Sequence, residues 1–134
     1  MKHSVVIFLF IYFLFGSLLS GFAQDAGGSP SRIVTIGGAA TEIVFALGAG
    51  DAVVAVDRSS THPAEVQELP QVGYVRSISP EGVLSAEPDL IVATGAIGPP
   101  GARQTIEQFP MDTILLPELK SFNALSDSID RVAE

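Results

Sequence analysis

Tyr74 and Arg76 lie two residues apart near the middle of the chain, and their types could bind an anionic or metal-centred ligand. A guanidinium close to a phenol favours the anionic form of the phenol. A phenolate is a hard oxygen ligand suited to ferric iron, tyrosinate is an axial ligand of ferric haem, and a guanidinium can pair with a haem propionate. The alternative is a surface tyrosine stacked on its arginine neighbour in a loop, and the residues alone favour that alternative.

The spacing of this pair matters only if the segment is extended, because side chains two apart on a strand point to the same side. Glu81 follows at a predicted helix start, with Ser79 as the N-cap and Pro80 at the first helical position. A carboxylate in the first turn complements the helix dipole and needs no other role. The alternative role of Glu81 is an exposed acidic group that docks on a basic partner.

Several other kinds of chemistry are disfavoured. Gly37 and Gly38 precede a predicted helix, but Ala39 and Glu42 occupy the later glycine positions of a dinucleotide fingerprint. A carboxylate there would repel a pyrophosphate, so the glycines predict a tight strand-to-helix turn.

Metal and nucleophile chemistry has equally little support. The chain has no cysteine and only two histidines, of which His62 lies beyond the first segment. A zinc site needs several nitrogen or sulfur ligands, and no G-x-S-x-G motif marks a nucleophilic serine. His62 is therefore expected to be a loop residue before Pro63, and the chain is not expected to be an enzyme.

The first 23 residues have the pattern of a cleaved secretory signal peptide. Lys2 and His3 precede an apolar run over residues 4–15, and Gly21-Phe22-Ala23 supplies the small-x-small ending. A membrane anchor is the alternative, but the apolar run is short for a span of about 20 residues. Residues 24–31 are rich in turn-formers and predict a flexible leader. The net charge of −8 argues against nucleic acid and anionic lipid as partners.

Beyond the leader, short apolar runs alternate with helical patterns. This rhythm predicts an α/β fold with a Rossmann-like parallel sheet covered by helices on both faces. The predicted strands are residues 32–36, 53–56, 90–93 and 113–116; the predicted helices are residues 41–47, 80–87 and 102–109 and one after Ser121, with a short helical piece between Pro63 and Pro70.

The order of three motifs resembles the periplasmic substrate-binding proteins of ABC importers for haem, iron-siderophores and cobalamin. These motifs are TEI with LGAGD at 41–43 and 47–51, the block 80–90 that ends in EPDL, and GYVR at 73–76 with GPP at 98–100. The last of them points to the haem-binding branch. The resemblance covers residues 32–134 and implies the first lobe of a two-lobed protein, incomplete at its C-terminus.

The resemblance also implies roles for the three side chains. Tyr74 would be the axial ligand of haem iron, Arg76 would support it, and Glu81 would engage arginines on the ABC permease. The protein would be an exported periplasmic monomer that carries haem as a transported ligand and is linked only indirectly to an outer-membrane receptor. The alternatives are a siderophore or cobalamin binder, a Rossmann-like enzyme lobe whose catalytic residues lie elsewhere, or a remnant without a closable site.

Overall fold

The computed structural model describes residues 28–134, which form a parallel α/β sheet with helices on both faces. The predicted signal peptide and residues 24–27 of the predicted leader lie outside the described residues. Within residues 28–134, no helix combines the length and apolarity needed to cross a bilayer. The elements are β1 Ile33–Ile36, α1 Gly38–Ala46, β2 Val53–Val56, β3 Gly73–Tyr74, β4 Ser77–Ile78, α2 Pro80–Ser85, β5 Leu90–Thr94, α3 Pro100–Glu107, β6 Asp112–Leu116 and α4 Phe122–Ala133, with 3-10 turns at Gly50–Ala52 and Ala64–Glu68.

The sheet has the order β2-β1-β5-β6, and every pair in it is parallel. A separate two-stranded hairpin, β3-β4, precedes α2. Each apolar strand divides its side chains between two buried clusters, one on either face. Val34 and Ile91 face the side covered by the hairpin, α2 and α3, whereas Val92 faces the side covered by α1 and α4. The predicted fold class is therefore confirmed, and each strand of the four-stranded sheet starts and ends within one residue of its predicted bounds.

The turn between β1 and α1 depends on Gly37. This residue has φ 100°, and a Cβ placed on it would lie 2.5 Å from Thr94 Oγ1. Only glycine meets both conditions without strain. The structure thus confirms the predicted tight turn, although α1 begins at Gly38 rather than at Thr41.

A carboxylate clamp joins the start of β1 to the start of β5. Asp89 Oδ2 accepts hydrogen bonds from the amide and hydroxyl of Ser31, both at 2.8 Å, and its Oδ1 accepts one from the Arg32 amide at 3.0 Å. The Arg32 guanidinium donates to the carbonyls of Ala86 and Glu87 at the end of α2. Ser31, predicted to belong to a flexible leader, is therefore fixed to the sheet.

Candidate functional site

The hairpin presents Tyr74 and Arg76 at the tip of a tight turn. Gly73 pairs with Ile78 and Tyr74 with Ser77, so the turn consists of Val75 and Arg76. The condition that residues 74–76 be extended is not met, since the chain reverses direction at Val75 and Arg76. Tyr74 is nevertheless 43% exposed and Arg76 is exposed, whereas Val75 between them is buried. Both candidate side chains thus lie on the outside of the turn.

The hairpin lies over the carboxyl edge of the parallel sheet, the edge at which open α/β sheets bind ligands. The hairpin is joined to the loop after β5 by two backbone hydrogen bonds, one at its tip and one in β4. The Gly98 amide donates to the Val75 carbonyl at 2.8 Å, and the Ile78 amide donates to the Gly98 carbonyl at 2.9 Å. A Cβ on Gly98 would lie 3.2 Å from the Arg76 carbonyl oxygen, so the two loops are in close contact.

Asp57, which follows β2, is a buried carboxylate that sequence reasoning missed. Its Oδ1 accepts from the Gly37 amide at 2.7 Å and from the Ser60 hydroxyl at 2.8 Å. Its Oδ2 accepts from the Ser59 amide and hydroxyl at 2.8 and 2.6 Å, and from the Val75 amide at 3.0 Å. The usable signal was an aspartate at a strand end followed by two serines, a pattern typical of side-chain-to-backbone turns.

Three hydroxyls extend this network into the core. The Ser60 hydroxyl donates to Asp57 at 2.8 Å, so its oxygen is free to accept from Thr41 at 2.7 Å. The Thr41 oxygen can in turn accept from Thr35 at 2.7 Å, and the Thr41 hydroxyl also lies 3.4 Å from the Gly37 carbonyl oxygen. Thr41, predicted at the helix start, serves here as a buried link.

Arg76 lies near a second acidic group, Glu118, which follows β6. The Lys120 ammonium hydrogen bond and charge, with a smaller contribution from the charge of Arg76, lower the pKa of Glu118. Glu118 also lines a cleft of about 650 Å³ with Gly95, Leu116 and Arg131. Within residues 28–134, Arg76 forms no ion pair closer than 4.0 Å, so its guanidinium is available to an incoming anion.

Glu81 is fixed at the start of α2 and remains fully exposed. The Ser79 hydroxyl accepts from the Gly82 amide at 3.1 Å and donates to Glu81 Oε2 at 3.0 Å. The hydrogen bond from its own backbone amide, followed by that from Ser79, lowers the pKa of Glu81. The predicted cap is confirmed. Glu81 therefore serves its helix while presenting a carboxylate that keeps its charge further into acid.

His62 occupies an exposed loop, as expected, with its Nδ1 3.1 Å from the Thr61 hydroxyl. Across the part of the chain that the structure describes, no group of three or more His, Cys, Asp or Glu residues is placed to hold a metal ion.

The chain belongs to the periplasmic binding protein family, whose model matches residues 33–134. Among curated relatives, the vitamin B12-binding protein of Vibrio vulnificus is 31% identical over 119 residues, which are 88% of this chain and 43% of the relative. The chain thus spans less than half the length of that relative.

Two solved structures with the same fold are named for different ligands, heme in one and vitamin B12 in the other. The periplasmic heme-binding protein RhuT from Roseiflexus sp. RS-1 is 40% identical with a TM-score of 0.72, and the match covers 78% of this chain and 40% of that one. The periplasmic vitamin B12-binding protein BtuF of Vibrio cholerae is 32% identical with a TM-score of 0.71, and covers 78% and 40% likewise. These homologues are binding proteins rather than enzymes, which confirms that part of the prediction.

Proposed function

We propose that the chain is the N-terminal lobe of the periplasmic substrate-binding component of an ABC importer, and that its ligand is haem. The observation that carries the proposal is the hairpin tip at the carboxyl edge of the sheet. There the half-exposed Tyr74 phenol and the Arg76 guanidinium, which forms no ion pair among residues 28–134, flank the buried Val75. Tyr74 would ligate ferric iron and Arg76 would neutralise a propionate.

The charge of Arg76 supports an anionic ligand at the tip. The chain as a whole carries a net charge of −8, so an anion needs a local cation, and Arg76 is placed to supply one. Two of the structural neighbours with at least 36% identity are named heme-binding proteins. The signal peptide would direct export and be cleaved after Ala23. The lobe would then deliver haem by docking on an inner-membrane permease.

Glu81 is the proposed contact to the permease. It is exposed, rigidly capped and negatively charged, and charge pairs of this kind set docking register and association rate more than affinity. Glu81→Ala should slow association with a detergent-solubilised haem permease and reduce the salt dependence of that rate, whereas an unchanged rate and salt dependence return Glu81 to its helix-dipole role.

The ligand test uses the chain expressed with its predicted signal peptide and purified from the periplasm. Mass spectrometry should then find Gln24 as the first residue. Ferric haem is titrated into the unchanged protein, Tyr74→Phe and Arg76→Ala. Tyr74→Phe removes only the hydroxyl, so it should abolish phenolate-to-iron charge-transfer absorption and weaken binding by more than about tenfold, or 1.4 kcal/mol. Arg76→Ala should weaken binding less, since iron ligation remains.

Arg32→Ala is the matched control, because it makes the same charge change at the opposite edge of the sheet. Its haem affinity should equal that of the unchanged protein, with folding checked by circular dichroism. A charge-transfer spectrum that survives Tyr74→Phe would remove Tyr74 from the iron.

Cobalamin is the second candidate ligand, favoured by the 31% and 32% identity to proteins named as vitamin B12-binding. A parallel titration with cyanocobalamin separates the two candidates. Binding of cyanocobalamin at lower concentration than haem, with no effect of Tyr74→Phe, would replace haem by cobalamin in the proposal.

A further inference from the structure

Both backbone polar groups of Val75 are hydrogen-bonded, and this affects the side chains of the residues on either side. Its amide donates to Asp57 Oδ2 at 3.0 Å, and its carbonyl accepts from the Gly98 amide at 2.8 Å. Its side chain is 8% exposed and belongs to the core cluster under the hairpin. With the middle residue fixed in this way, Tyr74 and Arg76 can only project outward from the tip.

Asp57 is suited to this role because all five of its hydrogen-bonding partners are donors. Two come from separate backbone segments, the Gly37 turn and the Val75 tip, and the rest come from Ser59 and Ser60. Removing the carboxylate, as in Asp57→Ala, would leave the Gly37, Ser59 and Val75 amides without this acceptor. A buried donor that loses its acceptor costs about 1–3 kcal/mol, so the nearby backbone would move to recover one.

We infer that Asp57 is a positioning residue for the ligand site: through the Val75 amide it fixes the hairpin tip that carries Tyr74 and Arg76 relative to the Gly37 turn. The consequence for ligand binding rests on the proposed function, whereas the effect on the hairpin does not. Asp57 is fully buried and touches no ligand itself.

The test separates these two levels. Amide exchange of Val75, followed by NMR without ligand, reports whether the tip is held. Asp57→Ala, which removes both acceptor oxygens, should accelerate Val75 exchange by at least about tenfold, the factor that corresponds to 1.4 kcal/mol. Ser60→Ala is the matched control, because it removes another donor to Asp57 while leaving the Val75 bond, and Val75 exchange should stay near its original rate.

Ferric haem titration supplies the second readout. Asp57→Ala should weaken binding by at least about tenfold and reduce phenolate-to-iron charge transfer at a temperature where the variant is folded. Val92→Ala, which destabilises the sheet from the face opposite to the hairpin, controls for stability and should keep the charge-transfer band. Val75→Pro deletes the same hydrogen bond from the other side, so it should reproduce the spectrum of Asp57→Ala, and it replaces that variant if the latter does not fold.

The outcomes are distinct. Unchanged Val75 exchange in Asp57→Ala, or a haem spectrum of Asp57→Ala no different from that of Val92→Ala, overturns the positioning role. If haem binding of the unchanged protein is insensitive to Tyr74→Phe, the proposed function fails instead, and accelerated Val75 exchange would still support Asp57 as the residue that fixes the tip.

Discussion

The two edges of the central sheet are completed differently, although similar apolar runs form both edge strands. On the β2 edge, residues 70–72 run alongside the strand: the Val56 amide donates to the Pro70 carbonyl and the Val72 amide to the Val56 carbonyl, both at 3.0 Å. On the β6 edge, no described strand pairs beyond β6, and three of its five residues are only half buried.

The helix beside β6 shows the same contrast. Leu119 and Ile129 are each 37% exposed and Phe122 is 90% exposed, whereas Val66, Val72 and Val75 on the β2 side are at most 8% exposed. Apolar runs therefore predict strands at either edge equally well. Burial depends on what covers each strand, and on the β2 edge polar anchors such as Asp57 fix the covering segment. Three paired substitutions test how far this contrast extends to stability.

The largest difference is expected between two glycine substitutions. Gly37→Ala forces a Cβ to within 2.5 Å of Thr94 Oγ1 at a positive φ, so strain and overpacking together should cost roughly 4 kcal/mol in urea unfolding. Gly101→Ala, in α3, meets nothing within 4 Å and should be neutral or stabilising by up to about 1 kcal/mol. Equal effects would show that the Gly37 turn is not as tightly packed as described.

An intermediate difference is expected between two isoleucines. Ile91, fully buried in the middle strand β5, should lose about 3 kcal/mol on truncation to alanine, because the transfer and cavity terms both apply. Ile129 in α4 should lose less than about 1 kcal/mol, since its side chain is already 37% exposed. A large loss at Ile129 would mean that another surface covers the α4 face in solution, and the concentration dependence of unfolding would detect it.

The smallest expected effect concerns the two serine caps. Ser79 accepts from the Gly82 amide at 3.1 Å and Ser121 from the Ala124 amide at 3.2 Å, so each Ser→Ala change should cost about 1 kcal/mol. Ser79→Ala should also raise the pKa of Glu81 toward its ordinary value, which an NMR titration of the carboxyl carbon would follow. An unchanged pKa of Glu81 in Ser79→Ala would leave the hydrogen bond from its own backbone amide to account for the lowered pKa.

The sequence predicted the strands and caps because their signals are local. Strand β2 is a run of four apolar residues, and the caps are serines placed directly before helices. The start of α1 was misplaced because Thr41 has the residue type of a cap, whereas its hydroxyl is used inside the protein by Thr35 and Ser60.

The candidate site was predicted less completely. Its residues were found by type, but their geometry was not, since β3 and β4 have two residues each and the Val75-Arg76 turn contains no glycine or asparagine. The carboxylate of Asp57 lies 18 positions before Val75 in the chain, and no periodicity links residues so far apart.

The Asp89 clamp fixes where the chain enters the domain. Ser31 and Arg32 are held at the amino edge of the sheet, and β1 then runs four residues to the carboxyl edge, a distance of about 13 Å at 3.3 Å per residue. Whatever precedes Ser31 therefore begins on the side of the sheet opposite to Tyr74. A purification tag, a fluorophore or a surface-immobilisation handle placed ahead of this point would leave the hairpin tip clear for ligand.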